Sequence, residues 1–95
     1  MTAQAPVKVY RTRYCPFCVA AERFLQSRDI DFEEVYLDDH PDRHSLTESL
    51  MPGHGTVPLI LIDDHPIGGY RELLGLDGTG ELKKLLTAGA DPHRT

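Results

Sequence analysis

Val7-Lys8-Val9-Tyr10-Arg11-Thr12-Arg13-Tyr14-Cys15-Pro16-Phe17-Cys18, continuing through Val19 to Gln26, passes from a strand-like run to a helix-like one across the chain's only two cysteines. A Cys-x-x-Cys pair at a strand-to-helix junction reads as a redox dithiol. The spacing has a physical basis. Residues three apart in a helix's first turn share a face, so two sulfurs there bond or separate with little backbone movement. Pro16 suits the first helical position, where its fixed φ fits and no N–H is needed. Cys15 then stands at the helix N-terminus, where unpaired N–H groups and the helix dipole favour a thiolate. Such placement lowers a thiol pKa from ~8.5 into the range ~3.5–7.5. Cys15 is therefore expected to be the nucleophile and Cys18 its resolving partner.

Charge placement points the same way. The formal net charge is -5, yet no acidic residue precedes Glu22, and the charged side chains ahead of it are Lys8, Arg11 and Arg13. A cationic rim beside Cys15 would favour its thiolate and attract an anionic thiol. The plainer alternative is that the two arginines only solubilise a strand end. Ninety-five residues, 40% hydrophobic and 26% charged, fit one small globular domain. It is expected to span residues 1–87, with 88–95 as a frayed tail. No apolar run approaches the ~20 residues that cross a bilayer. Met1 to Pro6 lacks the basic and apolar regions of a signal peptide, so a reducing cytoplasm is expected, where a cysteine pair is catalytic or metal-binding rather than structural. The acidic balance argues against nucleic acid.

Along the chain, Val7–Tyr10 is expected as a strand and Pro16–Gln26 as a helix with Val19, Ala20, Phe24 and Leu25 inward. A second strand should begin near Phe32. Asp38-Asp39-His40-Pro41 should cap and open a helix running to about Met51. Pro52-Gly53-His54-Gly55 breaks it, and Val57–Ile62 reads as a buried central strand. Asp63-Asp64-His65 makes a tight connection to a short strand at Pro66-Ile67. Helices follow at Tyr70–Leu74 and about Gly80–Leu86. The order β-α-β-α-β-β-α implies an α/β domain: a four-stranded mixed sheet flanked by helices, its first two strands parallel and its last two an antiparallel hairpin. That is a thioredoxin-like layout.

With these pieces in place the chain resembles the glutaredoxins, specifically the small bacterial dithiol type, over about Val7 to Leu86. Tyr14-Cys15-Pro16-Phe17-Cys18, Thr56-Val57-Pro58 and Ile67-Gly68-Gly69-Tyr70 carry the match, in the family's order. The resemblance implies a cis Pro58 beside the dithiol and a Val57 backbone that pairs with glutathione like an added strand. It implies that Gly68-Gly69 lets backbone approach the ligand, and that the helix beginning at Tyr70 receives the γ-glutamyl carboxylate. Phe17 would flank the ligand in place of the more usual tyrosine, and Thr56 would line the same site. The family's lysine three residues before the first cysteine is replaced by Thr12. Arg13, Arg11 or Arg71 is expected to supply the missing cation, and Glu72 an acidic contact to the γ-glutamyl amine. His54 and Gly55 stand where arginine or glutamine is common.

The resemblance implies a thiol–disulfide oxidoreductase with glutathione as co-substrate and no metal, and nothing in the sequence suggests more than a monomer. Disulfide-bonded and glutathionylated proteins would be its substrates, and glutathione reductase with NADPH its indirect electron source. Cys15 would attack the substrate disulfide. A second glutathione would resolve the adduct, or Cys18 would close on Cys15. Two other readings are kept: an electron donor recycled by thioredoxin reductase, and a carrier of an iron–sulfur cluster held by Cys15 and glutathione, which Pro16 disfavours. Zinc held by the cysteines with His40 and His44 and a purely structural disulfide fit the pattern less well. Tyr10 and Tyr14 are expected to pack near the dithiol, and His54 and His65 to be solvated.

Overall fold

The computed structural model describes residues 4–90, with side chains through 87. The strands are β1 (Val7–Arg11), β2 (Glu33–Tyr36), β3 (Leu59–Ile62) and β4 (His65–Gly68); the helices are α1 (Pro16–Ser27), α2 (Arg43–Leu50), α3 (Tyr70–Thr79) and α4 (Glu81–Ala90). They form the expected four-stranded mixed sheet, in the order β2-β1-β3-β4. The β1–β2 pair is parallel, as a helical crossover requires. The β1–β3 and β3–β4 pairs are antiparallel, with Val9 opposite Ile60 and Tyr10 opposite Leu59.

Central position explains the continuous apolar run of β3, whose four residues are all buried. Ile60 and Ile62 join Val7 and Val9 of β1 in one cluster with Ala21 and Leu25 of α1, Leu73 of α3, and Leu82 and Leu86 of α4. Leu59 and Leu61 face the other way by the alternation of a strand. The β3–β4 turn carries Asp63 and Asp64 at φ 53 and 65, a left-handed pair that matches a tight two-residue hairpin.

Five features differ from expectation: the starts of α2 and β3, the inward face of α1, and the ends of α3 and α4. Helix α2 opens at Arg43 because Asp42, not Asp38 or Asp39, is its cap: the Asp42 carboxylate accepts the Ser45 N–H at 3.1 Å. Those hydrogen bonds from Ser45 hold the Asp42 carboxyl below its ordinary range. Asp38 is engaged elsewhere, accepting the Arg13 N–H. Strand β3 begins after the cis Val57–Pro58 bond, since Pro58 has no donor for a ladder. The inward face of α1 is Cys18, Ala21, Glu22 and Leu25 rather than Val19 and Ala20. Helix α3 runs beyond Leu74 to Thr79, through Gly75 and Gly78. Helix α4 reaches Ala90, and residues 91–95 of the expected tail lie outside the described residues.

Candidate active site

The β1–α1 connection delivers Cys15 as the N-cap of α1, in extended conformation, with Pro16 at the first helical position. Cys15 and Cys18 are joined as a disulfide with Cα atoms 5.1 Å apart. Cys15 Sγ also accepts the Cys18 N–H at 3.1 Å, so the sulfur takes a donor that the first helical turn leaves unpaired. The two sulfurs differ in access: Cys15 is 9% exposed and Cys18 is fully enclosed. Any thiol or disulfide arriving from solvent meets Cys15 first.

Beside this pair lies a hollow of about 450 Å³, lined by Phe17 from α1, by His54, Thr56, Val57 and Pro58 before β3, and by Gly69 to Glu72 at the start of α3. Phe17 and Tyr70 form one wall, with ring centroids 6.4 Å apart. Gly69 is needed for close approach: a Cβ there would lie 3.2 Å from the Pro58 carbonyl oxygen and 3.4 Å from the His54 ring. Glu72 Oε1 accepts the Gly69 N–H at 2.7 Å, satisfying one of the orphan donors at the α3 N-terminus. Eight of the expected binding residues thus surround one space. Arg13 does not line it; its backbone N–H is bound to Asp38.

Arg11 departs furthest from expectation. It is buried, and its guanidinium pairs with Glu22 of α1 and lies 3.4 Å from Glu34 of β2. It also donates to the Thr12 and Arg13 carbonyls and stacks 5.0 Å over the Tyr36 ring. Arg11 is therefore a tie between strand, helix and loop, not part of a cationic rim. Burial, with Glu34 adding to it and Arg11 opposing it, pushes the Glu22 carboxyl up to about 7.

His54, His44 and Arg43 stand near the site, although the sequence assigned none of them a part in binding glutathione. His54 is partly buried rather than solvated; its Nε2 donates to the Pro58 carbonyl at 2.9 Å and so braces the segment that leads into β3. A second hollow of about 280 Å³ holds Thr12, Arg43, His44 and Gly55, and shares Thr56 and Val57 with the first. His44 Nδ1 donates to the Gly55 carbonyl at 2.8 Å, fastening α2 to the loop. No signal in the sequence brings α2 to this loop, since 11 residues separate His44 from Gly55. Tyr14, expected to pack, is 95% exposed, and Phe17 is 64% exposed. His40 Nδ1 accepts the Asp42 N–H at the entrance to α2.

A four-stranded mixed sheet presenting an accessible and an enclosed cysteine at a helix N-terminus, with a cis-proline in the wall of the hollow that Phe17 also lines, defines a thioredoxin-like dithiol oxidoreductase. The glutaredoxin family model matches residues 7–67. A glutaredoxin of Pseudomonas aeruginosa is 38% identical over 84 residues, covering 87% of this chain and 98% of its own. Glutaredoxin-C6 of Oryza sativa subsp. japonica is 40% identical over 91 residues, covering 93% and 81%. Among solved structures, the glutaredoxin of Brucella melitensis superposes with a TM-score of 0.79 at 27% identity, over 93% of this chain and 95% of its own. A buckwheat glutaredoxin–glutathione complex gives 0.78 at 26% identity, over 90% and 81%. The chain belongs to the glutaredoxin family, the glutathione-dependent thiol–disulfide oxidoreductases. Among the described residues no helix is long and apolar enough to cross a membrane.

Proposed function

We propose that Cys15 is the nucleophile and Cys18 the resolving thiol of a dithiol centre that takes glutathione into the hollow beside it. The observation that carries this reading is the unequal access of the two sulfurs, with the reachable one at the helix N-terminus. The Cys15 thiolate attacks a glutathionylated protein, the protein leaves as a thiol, and a second glutathione releases the Cys15 adduct. With a protein disulfide, the Cys18 thiolate attacks the Cys15 mixed disulfide, expels the substrate thiolate and leaves the Cys15–Cys18 bond. Glutathione then reduces that bond, and an NADPH-linked glutathione reductase recycles the glutathione disulfide formed.

In this reading the glutathione cysteine pairs with the Val57 backbone, beside Thr56 and Pro58, as an added strand does. Phe17 and Tyr70 flank it. The γ-glutamyl carboxylate meets the first turn of α3, where the Tyr70 and Arg71 N–H groups have no intrahelical acceptor and the Arg71 side chain adds charge. Glu72 receives the γ-glutamyl ammonium. The opposite carboxylate extends past Val57 toward Thr12, and Arg43 of the second hollow, which His44 also lines, supplies the cation that neither Thr12 nor Arg13 provides there. Physiological substrates are disulfide-bonded or glutathionylated proteins, met by a monomer in a reducing cytoplasm.

The test is NADPH oxidation coupled through glutathione and glutathione reductase, with a glutathione mixed disulfide as substrate. Cys15→Ser should lose all turnover, whereas Cys18→Ser should keep deglutathionylation and lose reduction of protein disulfides. Equal loss of deglutathionylation in both variants overturns the assignment.

A further inference from the structure

Glu22 has a place in the fold that neither the glutathione site nor the core accounts for. It follows Cys18 by four positions on α1, and both side chains are buried on the same helix face. Side chains so spaced are neighbours, with Cβ atoms ~5–6 Å apart. Arg11 holds one carboxylate oxygen of Glu22; the other, Oε2, is buried with no hydrogen-bond partner. Around Glu22 stand Arg11 from β1, which it shares with Glu34 of β2, and Tyr36 of β2, whose hydroxyl donates to Glu34; Cys18 lies one turn back on the same buried face of α1. One guanidinium thus serves two carboxylates, and it also donates to the Thr12 and Arg13 carbonyls. With both glutamates ionised the cluster carries a net negative charge, one helical turn from Cys18 along the buried face of α1.

We propose that Glu22 is a positioning residue for the dithiol step: its ionised carboxylate holds Cys18 in the thiol form, so that a glutathionylated Cys15 waits for a second glutathione instead of closing onto Cys18. The inference rests on the assignment of Cys15 as nucleophile and Cys18 as resolving thiol. At a separation of ~6 Å, the Cβ spacing of such a pair, two like charges in an effective dielectric constant of ~20 raise a thiol pKa by up to about two units. Cys18 attacks only as thiolate, so a raised pKa slows the step in which the Cys18–Cys15 bond forms and glutathione leaves as thiolate. A glutamate titrating at about 7 makes this bias responsive to pH near neutrality. When Glu22 takes up a proton the restraint on Cys18 is lifted, and Oε2 becomes a donor able to reach toward Glu34.

The decisive measurement uses Cys15→Ser, which leaves Cys18 as the sole thiol of a two-cysteine chain. Its thiolate is titrated by ultraviolet absorbance with and without Glu22→Gln. Removing the carboxylate while Arg11 stays should lower the Cys18 pKa by about one unit or more. An unchanged titration overturns the proposal. The Glu22 carboxyl carbon, followed by NMR in Cys15→Ser, gives a second readout that needs no substitution at position 22. Coupling is reciprocal, so its signal should show a further inflection where Cys18 ionises, and a single inflection overturns the proposal equally. In the otherwise native protein carrying a preformed Cys15–glutathione adduct, Glu22→Gln should release glutathione about threefold faster. A tenfold gain in thiolate per unit of pKa is partly offset by its lower nucleophilicity. Failure of deglutathionylation in the native protein would instead strike at the Cys15 assignment, leaving the thiol titration valid.

Discussion

Replacing Gly55 by alanine tests how the ligand-side loop is held, and its cost can be worked from the structure. Gly55 has φ +57, and a Cβ built there would lie 2.7 Å from His44 Cε1 and 3.1 Å from Glu48 Oε2. Left-handed backbone costs a residue with a Cβ ~1–2 kcal/mol. The His44 ring is exposed and swings aside without disturbing the core, but it then gives up its 2.8 Å hydrogen bond to the Gly55 carbonyl. That loss adds about 1 kcal/mol net. The sum is about 2–3 kcal/mol, which for a domain of this size lowers Tm by about 10 °C or more. Urea unfolding of wild type, Gly55→Ala, His44→Ala and the double variant separates the two components. With His44 already removed, Gly55→Ala should cost only the backbone part, giving a coupling energy of about 1 kcal/mol. Because Thr56 and Val57 follow directly, glutathione KM should rise in Gly55→Ala. A variant as stable as wild type, or a cost unaffected by removing His44, would refute the reasoning.

Three other outcomes are expected. Leu25→Ala, at a fully enclosed position in the core cluster, should destabilise by about 2–5 kcal/mol in denaturant unfolding, because the packed helices cannot close the cavity. Glu22, with a folded value of about 7 against an ordinary 4.5, is costlier ionised in the fold than in the unfolded chain. Its contribution is therefore most favourable below the unfolded value and is lost as pH rises through the folded one, so Glu22→Gln should flatten the decline of stability with pH across that window. Glu72→Ala should cost about 1 kcal/mol through loss of the Gly69 N–H acceptor, whereas Glu72→Gln keeps an acceptor and should cost only a few tenths. If Glu72 meets the γ-glutamyl ammonium, Glu72→Gln should still raise KM for glutathione with kcat little changed, and unchanged KM removes that contact.

Much of the architecture was legible because local chemistry and global fold agree. Pro16 after Cys15 suits the first position of a helix, and a continuous apolar run such as Leu59–Ile62 is stable only between covered faces. Asp63-Asp64 marks a turn by its tolerance of left-handed backbone. Boundaries were less legible where two residues compete for one task. Asp38 and Asp42 are equally good caps in isolation, and the choice falls to Asp42 because the Arg13 N–H, 25 residues from Asp38 in sequence, occupies Asp38. The face of α1 was misjudged because Glu22 is charged, and a carboxyl turns inward only where a cation such as Arg11 already waits.

The sequence by itself determined the redox pair, the four strands in their order and the three motifs that carry the family resemblance, since each is written in residues adjacent along the chain. Which sulfur solvent can reach, which cations line the hollows and which are consumed inside, were decided only in three dimensions. Arg11, Arg13, Arg43 and Arg71 are chemically alike. Strand alternation sends Arg11 into the interior to Glu22, the Asp38 clasp turns the Arg13 segment away, and packing brings Arg43 and Arg71 to opposite ends of the Thr56–Val57 segment. A side chain's charge is a property of the sequence, but its partner is a property of the fold, because Coulomb energy depends on distances that only the folded backbone sets.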